Sequence, residues 1–473
     1  MRSPGGIYMK KLIQKLHLRK RTRHKDADMT QGVIWKQLLE FSLPLMLGML
    51  FQQFYNTVDT IVVGQFVGKE ALAAVGSTGS IINMLVGLAN GLAMGATVVI
   101  SQCYGAHDYK KLSEAVQTTV VLTFAMCLVA SVVGVFLVSP MLRFMDTPAD
   151  VMDTAKQYLT IYFAGITGLL IYNMGSGILR AVGDSTRPLY FLVTSALLNI
   201  LFDLLFVLLF RMGVAGVAWA TVLAQCISAV LVLYSLSHSD APYAIRWHEL
   251  TIKMDTLKRI LSIGLPTSIQ QALTSFSNVF VQSYINYFGS ACMAGWSSYN
   301  KLDSFVLLPM QSIALASTTF VGQNFGAKQY DRMKKGVHQA LGMSLVVSAL
   351  LGAVAMIFAR PLMMLFTTEP EVLDYGVGFV HLVTPFYLLC VLNQIYAGAL
   401  RGVGNSTAPT IIMLTSFVAF RQLYLFANKT FFGNTLNGMA LGYPMGWILC
   451  SVLMAFVYYT NPIFRKDKRD LTA

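Results

Sequence analysis

Charge is what this chain has least of. Asp, Glu, Lys and Arg make up 12% of its 473 residues, where soluble domains carry about a quarter, so an ordinary soluble globular protein is excluded. Cysteine is also scarce. The six (103, 127, 226, 292, 390 and 450) stand singly in or beside apolar runs, none at zinc or haem spacing, and they read as small buried hydrophobes. Catalytic signatures are missing too: no HExxH, no GxSxG and no Asp-rich diphosphate motif. The chain therefore reads as no enzyme, with no bound cofactor expected.

What it has is apolar length. Hydrophobic residues are 55% of the chain, gathered in runs near the roughly 20 residues that cross a bilayer as a helix. About twelve are counted, at approximately 33–63, 70–99, 115–141, 152–177, 187–210, 214–236, 256–286, 291–320, 336–359, 372–397, 408–430 and 436–460. The expected fold class is an all-α polytopic membrane protein. Its first 25 residues hold nine Lys or Arg and no acid. No cleavable signal is visible, because that stretch is polar and the next apolar run is too long. A basic tail beside a membrane span points to anionic lipid rather than to nucleic acid. Lys and Arg recur in alternate connections, "YGAHDYKKLSE", "LRAVGDSTRP", the linker after residue 236, "GAKQYDRMKKG" and "RKDKRD". That bias predicts a cell-membrane protein with both termini cytoplasmic.

The chain is also duplicated. "GILRAVGDSTRP" (177–188) and "GALRGVGNSTAP" (398–409) agree at eight of twelve positions, at an offset of 221 residues. "QCYGAHDYKKL" (102–112) meets "QNFGAKQYDRM" (323–333) at the same offset, and "FSLPL" (41–45) meets "IGLPT" (263–267) one residue out of step. Three aligned motifs make the halves repeats. Six spans per half make the repeat parallel, about an axis along the membrane normal. The division expected is a basic tail 1–32, an N-lobe 33–236, a linker 237–255, a C-lobe 256–460 and a second basic tail 461–473. Two similar lobes facing one another can rock about a shared cavity, so transport is the leading function, with a single chain sufficing as a monomer.

Against this apolar background, "LLNILFDLLFVLLF" (197–210) places Asn199 and Asp203 one helical turn apart on one face. A carboxylate at mid-membrane costs about 2.5–3.5 kcal/mol on insertion scales. Asp59, in "FYNTVDTIVVGQF", lies about fifteen residues past Pro44 in the first span. A carboxyl in a partly dry site beside a second one can take up a proton, or keep its charge when Na⁺ compensates it. The expectation is that Asp59, Asn199 and Asp203 form an N-lobe site for H⁺ or Na⁺.

The early Pro of each half, "VDT" in the first span, "QxxGA" after the second and eighth spans and "LRxxGxSTxP" after the fourth and tenth resemble the multidrug and toxin extrusion (MATE) transporters over roughly 33–460. The resemblance implies a V-shaped twelve-helix fold that exports organic, often cationic, compounds in exchange for inward H⁺ or Na⁺. It maps the first-span Asp onto Asp59 and the fifth-span Asn-x-x-x-Asp onto Asn199 and Asp203. The second half departs from it. Asn199 and Asp203 meet Phe420 and Tyr424, and where some members carry acids in the seventh and tenth spans this chain has Thr274 and Cys390.

The second half instead carries Lys301 and Asp303 in "SSYNKLDSF" and Arg421 in "FVAFRQLY". One reading makes them a neutralising cluster, with Asp303 balancing Arg421 or Lys301; the other makes them part of the substrate cavity, together with Gln52, Tyr55 and Tyr299. Gly87, Gly91 and Gly95 predict close helix packing, and His381 a hydrogen-bonded core position. The competing function is a flippase for lipid-linked oligosaccharide or polysaccharide, since Lys301 and Arg421 could meet phosphate.

Overall fold

A computed structural model describes residues 28–145 and 147–465; most of both basic tails lies outside the described residues. Twelve helical columns follow one another, with no strand among the described residues. In the first half they are α1 (Ile34–Val62), α2 (Lys69–Gly105), α3 (Tyr109–Phe144), α4 (Ala149–Ala164 continued by Ile166–Ala181), α5 (Thr186–Leu204) and α6 (Gly213–Ser237). The second half repeats the plan with α7 (Met254–Asn286), α8 (Ser290–Gly326), α9 (Tyr330–Ile357), α10 (Pro370–Val383 continued by Tyr387–Gly402), α11 (Thr407–Leu414 continued by Arg421–Phe431) and α12 (Gly442–Thr460). Ten of these are long and apolar enough to cross a membrane, and α4, bent by 46° at Gly165, counts as an eleventh. The twelfth, α7, is 33 residues long but carries Gln270, Gln271, Thr274, Ser277 and Asn278. It spends that polarity on protein rather than lipid: Gln270 accepts from Arg401 and Asn278 from Arg421, and Ser277 donates to the Phe417 carbonyl, while its most extensive packing is against α2 of the other half.

Repetition extends to the backbone of the turns. Gly68, His107, Gly183 and Gly213 have positive φ, and 221 residues on so do Gly289, Lys328, Gly404 and Asn434. His107 and Gly183, like Lys328 and Gly404, follow helix ends, where a left-handed residue is the usual way to satisfy the last carbonyls, so both halves end those helices at matching places.

The halves meet differently at the two ends. At the end bearing Asp28, Arg465 and the linker (the tail end), the apolar cores are mixed. Ile260 and Ile263 of the second half join the first-half core, while Met29, Leu38 and Phe41 join the second. At the far end each half keeps its own core, Val62, Tyr158 and Val207 in one and Val281, Trp296 and Phe379 in the other. Two lobes joined at one end and parted at the other give the V.

Glycine makes the tail-end seam possible. A Cβ at Gly91 would stand 2.4 Å from the Ser268 backbone and one at Gly95 2.4 Å from the Ile260 carbonyl oxygen, so the glycine stripe of α2 is the surface on which α7 lies. Closer to the tail end, Gly105 sits against the Gln323 carbonyl oxygen, 1.9 Å from where its Cβ would be, and Gly326 against that of Gln102 at 2.0 Å. The two "QxxGA" motifs thus cross each other. Gln102 Nε2 donates to the Gly402 carbonyl at 2.8 Å, and Gln323 Nε2 to the Ala181 carbonyl at 2.9 Å. Each glutamine so bonds the final turn of the other half's "LRxxG" helix, and these bonds bridge the pseudo-twofold axis.

The linker runs from the end of α6 at Ser237 to the start of α7 at Met254. It lies on the first half: Tyr243, Ala244 and Ile245 are buried, Gln117 Nε2 donates to the Ala244 carbonyl, and Arg187 donates to the Tyr243 hydroxyl.

Candidate coupling site and central cavity

Asp59 lies three residues before the end of α1 and Asp203 one residue before the end of α5. Just beyond each acid the helix widens into a π turn, Val63–Val67 and Leu205–Leu209, a distortion that collects at functional sites. Because α1 packs along α5, the two carboxyl groups come within hydrogen-bonding reach of one another. Asp203 is fully buried and Asn199, one turn earlier on the same face, nearly so. Asn199 Nδ2 reaches Thr221 Oγ1 on α6 only at 3.5 Å. Asp59 Oδ1, Asn199 Oδ1 and both Asp203 oxygens are buried without a donor from the protein. Tyr55 is in electrostatic reach of Asp59, and Tyr158 of both acids. Val62, Val63, Val207, Val214 and Val217 close the far side. Unsatisfied buried acceptors are costly, and facing carboxylates repel unless a proton or a small cation lies between them. The three residues named from sequence are thus neighbours in one apolar pocket.

A second feature, a cavity of about 360 Å³, opens between the halves. Gln52 and Tyr55 line it. The other four residues proposed for it, Tyr299, Lys301, Asp303 and Arg421, are not in its lining. Matched positions of the repeat face it together: Asn90 with Gln311, Thr97 with Thr318, Asn173 with Gln394, and Arg180 with Arg401. The cavity therefore sits on the pseudo-twofold axis. Sequence reading missed these residues, although the offset of 221 that revealed the repeat would have paired every one of them. Among the described residues, Arg180 and Arg401 are its only charged lining groups, and no carboxylate lines it.

The second-half charges are arranged otherwise. Asp303 accepts hydrogen bonds from the Tyr387 hydroxyl and from Tyr299 Oη at 3.4 Å. Arg421 is buried, donates to Ser277 Oγ at 2.8 Å and Asn278 Oδ1 at 2.9 Å, and lies 4.7 Å above the Tyr443 ring. The expected ion pair of Asp303 with Arg421 or Lys301 is corrected: among the described residues no such bridge forms, because tyrosine hydroxyls satisfy the acid, polar groups of α7 satisfy the arginine, and Lys301 points outward, exposed. His381, expected in the core, is exposed as well, since α10 turns its Val380 and Val383 inward instead. Thr274 bonds its own helix at the Gln270 carbonyl, and Cys390 is buried and free.

A duplicated bundle of membrane-spanning helices, joined at one end around a polar cavity on its own symmetry axis, defines a multi-pass membrane transporter. The family model MatE matches residues 44–205 and 266–422, and the chain belongs to the multidrug and toxin extrusion family, a family of transporters rather than of enzymes. It is similar to the probable multidrug resistance protein YpnP of Bacillus subtilis (strain 168), 31% identical over 92% of this chain and 97% of that one. It is also similar to the FAD transporter of Shewanella oneidensis, 23% identical over 89% of this chain and 93% of the relative. A solved multidrug resistance MATE transporter of the MOP superfamily, in an outward-facing conformation, superposes with a TM-score of 0.86 at 23% identity, covering 91% of this chain and 96% of the other.

Proposed function

We propose that the protein is a secondary active antiporter that exports small organic compounds across the cell membrane in exchange for H⁺ or Na⁺, received at Asp59, Asn199 and Asp203. The buried carboxyl pair carries this reading. Asp59 Oδ1, both Asp203 oxygens and Asn199 Oδ1 are buried with no protein donor, so the pocket is at ease only when a proton or a small cation joins it. Both acids sit beside π turns that touch one another, so a change of charge there bears directly on how α1 and α5 end. Na⁺ would take oxygens from all three residues; H⁺ would need only the two acids.

Alternating access has its closed side in the crossed "QxxGA" motifs. Gln102 and Gln323 hold the tail end shut across the axis, and opening that end requires both to let go. A cavity of about 360 Å³ suits a drug-sized molecule and not a lipid-linked oligosaccharide. Both halves of that cavity come from one chain, so a monomer suffices. The Lys and Arg of alternate connections and of the tails support a reading in which both termini are cytoplasmic and the tails lie against anionic lipid.

The test is transport in vesicles with an imposed pH or Na⁺ gradient, using the wild type and the Asp59→Asn and Asp203→Asn variants. Gradient-driven export is expected to vanish in both variants while the protein stays in the membrane. The gradient that drives the wild type identifies the ion. Normal export by both neutral variants would show the reading to be wrong.

A further inference from the structure

Arg180 and Arg401 occupy matched places in the two "LRxxG" motifs, and both face the central cavity. Arg401 is 7% exposed and is held from one side, its Nη2 donating to Gln270 Oε1 at 2.7 Å and to Met413 Sδ at 3.6 Å. Its Nε is buried without an acceptor. Arg180 has a buried Nε in the same condition and no salt bridge to any described residue; Tyr172 is its electrostatic neighbour. Two guanidinium groups thus enter one cavity from opposite lobes, each with donors to spare. The remaining polar lining is amide and hydroxyl, including Asn173, Gln394 and Thr318, which accept or donate to a neutral cargo but offer no countercharge to a cation. Asp59 and Asp203 are committed to each other, and Asp184, beside the lining residue Ser185, is paired with Arg187.

Guanidinium is the side chain best matched to planar or tetrahedral oxyanions, because its donors form a rigid fork. We propose that Arg180 and Arg401 together bind a carboxylate or phosphate group of the transported compound, so that the cargo of this transporter is an organic anion or zwitterion. This rests on the transporter reading above and turns round the cationic cargo expected from sequence. One guanidinium from each lobe on a single oxyanion also explains why the charge is duplicated: the bound group is clamped across the axis about which the lobes move.

The test is binding, with no ion gradient, to the full-length protein in lipid nanodiscs, read by fluorescence polarisation with two matched dye pairs. Rhodamine 110 carries a free carboxylate that rhodamine 123 masks as a methyl ester; flavin mononucleotide carries a phosphate that riboflavin lacks. The wild type is expected to bind the acid member of at least one pair about tenfold tighter or more, as charge-assisted hydrogen bonds allow. The pair that shows this says which oxyanion is preferred. Arg180→Gln and Arg401→Gln are expected each to shrink that ratio, and Arg→Lys at the same places to restore part of it. Equal affinity within both pairs for the wild type overturns the proposal even if a variant fails to fold, and so does a ratio that survives both Arg→Gln changes. Because no gradient is applied, the result stands apart from whether Asp59 and Asp203 couple an ion.

Discussion

Asp203 in the first half and Asp303 in the second each put a carboxyl group inside a membrane-spanning helix, and the two halves treat them in opposite ways. Asp303 is met by the hydroxyls of Tyr299 and Tyr387, and Arg421 of the same half is met by Ser277, Asn278 and the Tyr443 face. Asp203 is met by another acid and has no protein donor on either oxygen. A satisfied carboxylate fixes structure; a pair lacking donors changes its interactions whenever a proton or cation arrives. The repeat therefore supplies one scaffold twice, and the side chains make one copy a rigid partner for the other.

The comparison can be broken most violently at the seam the halves share. Gly105→Val or Gly326→Val would drive a side chain into the opposite half's backbone, at 1.9 Å and 2.0 Å from a carbonyl oxygen before branching. The expected loss is about 4 kcal/mol or more, seen as disappearance of the monodisperse peak in size-exclusion chromatography. Next in size is the contrast between the acids. Asp203→Asn is expected to abolish gradient-driven export, whereas Asp303→Asn, which keeps an acceptor for both tyrosines, is expected to change it by less than about threefold. Equal losses from the two would erase the distinction between the halves.

Smaller and more symmetric effects belong to the crossed motifs. Gln102→Ala and Gln323→Ala each remove two bonds between the halves, Gln102 those with Gly402 and Arg259 and Gln323 those with Ala181 and Met29, each bond worth about 1 kcal/mol. Each should shift the population toward a form open at the tail end by about thirtyfold, measured as a longer spin-label distance between the ends of α2 and α8. Unequal shifts would mean that the lock is not shared; Arg259, which donates to Gln102 Oε1, and Met29, whose amide donates to Gln323 Oε1, would then be the places to look. The mildest change is Tyr387→Phe. It takes one donor from Asp303 and is expected to lower stability by about 1 kcal/mol, read as a small fall in Tm with transport retained.

Much of this was legible in the residues alone. Apolar runs of membrane-crossing length gave the helices, and three aligned motifs gave the duplication. Asn199 and Asp203 stood out because carboxyl and amide groups are rare in so apolar a run, and Asp59 because it is the one acid of its span past Pro44. The errors came where polarity had a different cause. Asp303 and Arg421 looked like partners because opposite charges in a membrane usually are, but tyrosines and α7 amides reached them first. The polarity of α7 itself has no reading from sequence until Arg401 and Arg421 are laid against it.

What the sequence determined was therefore the periodic part: length, hydropathy and repetition, each fixed by residues close together in the chain or at one constant offset. What only the tertiary structure decided was which partners the other polar groups find. Asp303 meets Tyr299 and Tyr387, Arg421 meets Ser277 and Asn278, and Arg180 and Arg401 face one cavity, all through helices crossing in space. Whether a buried charge is satisfied depends on every group that surrounds it, and no local pattern records that.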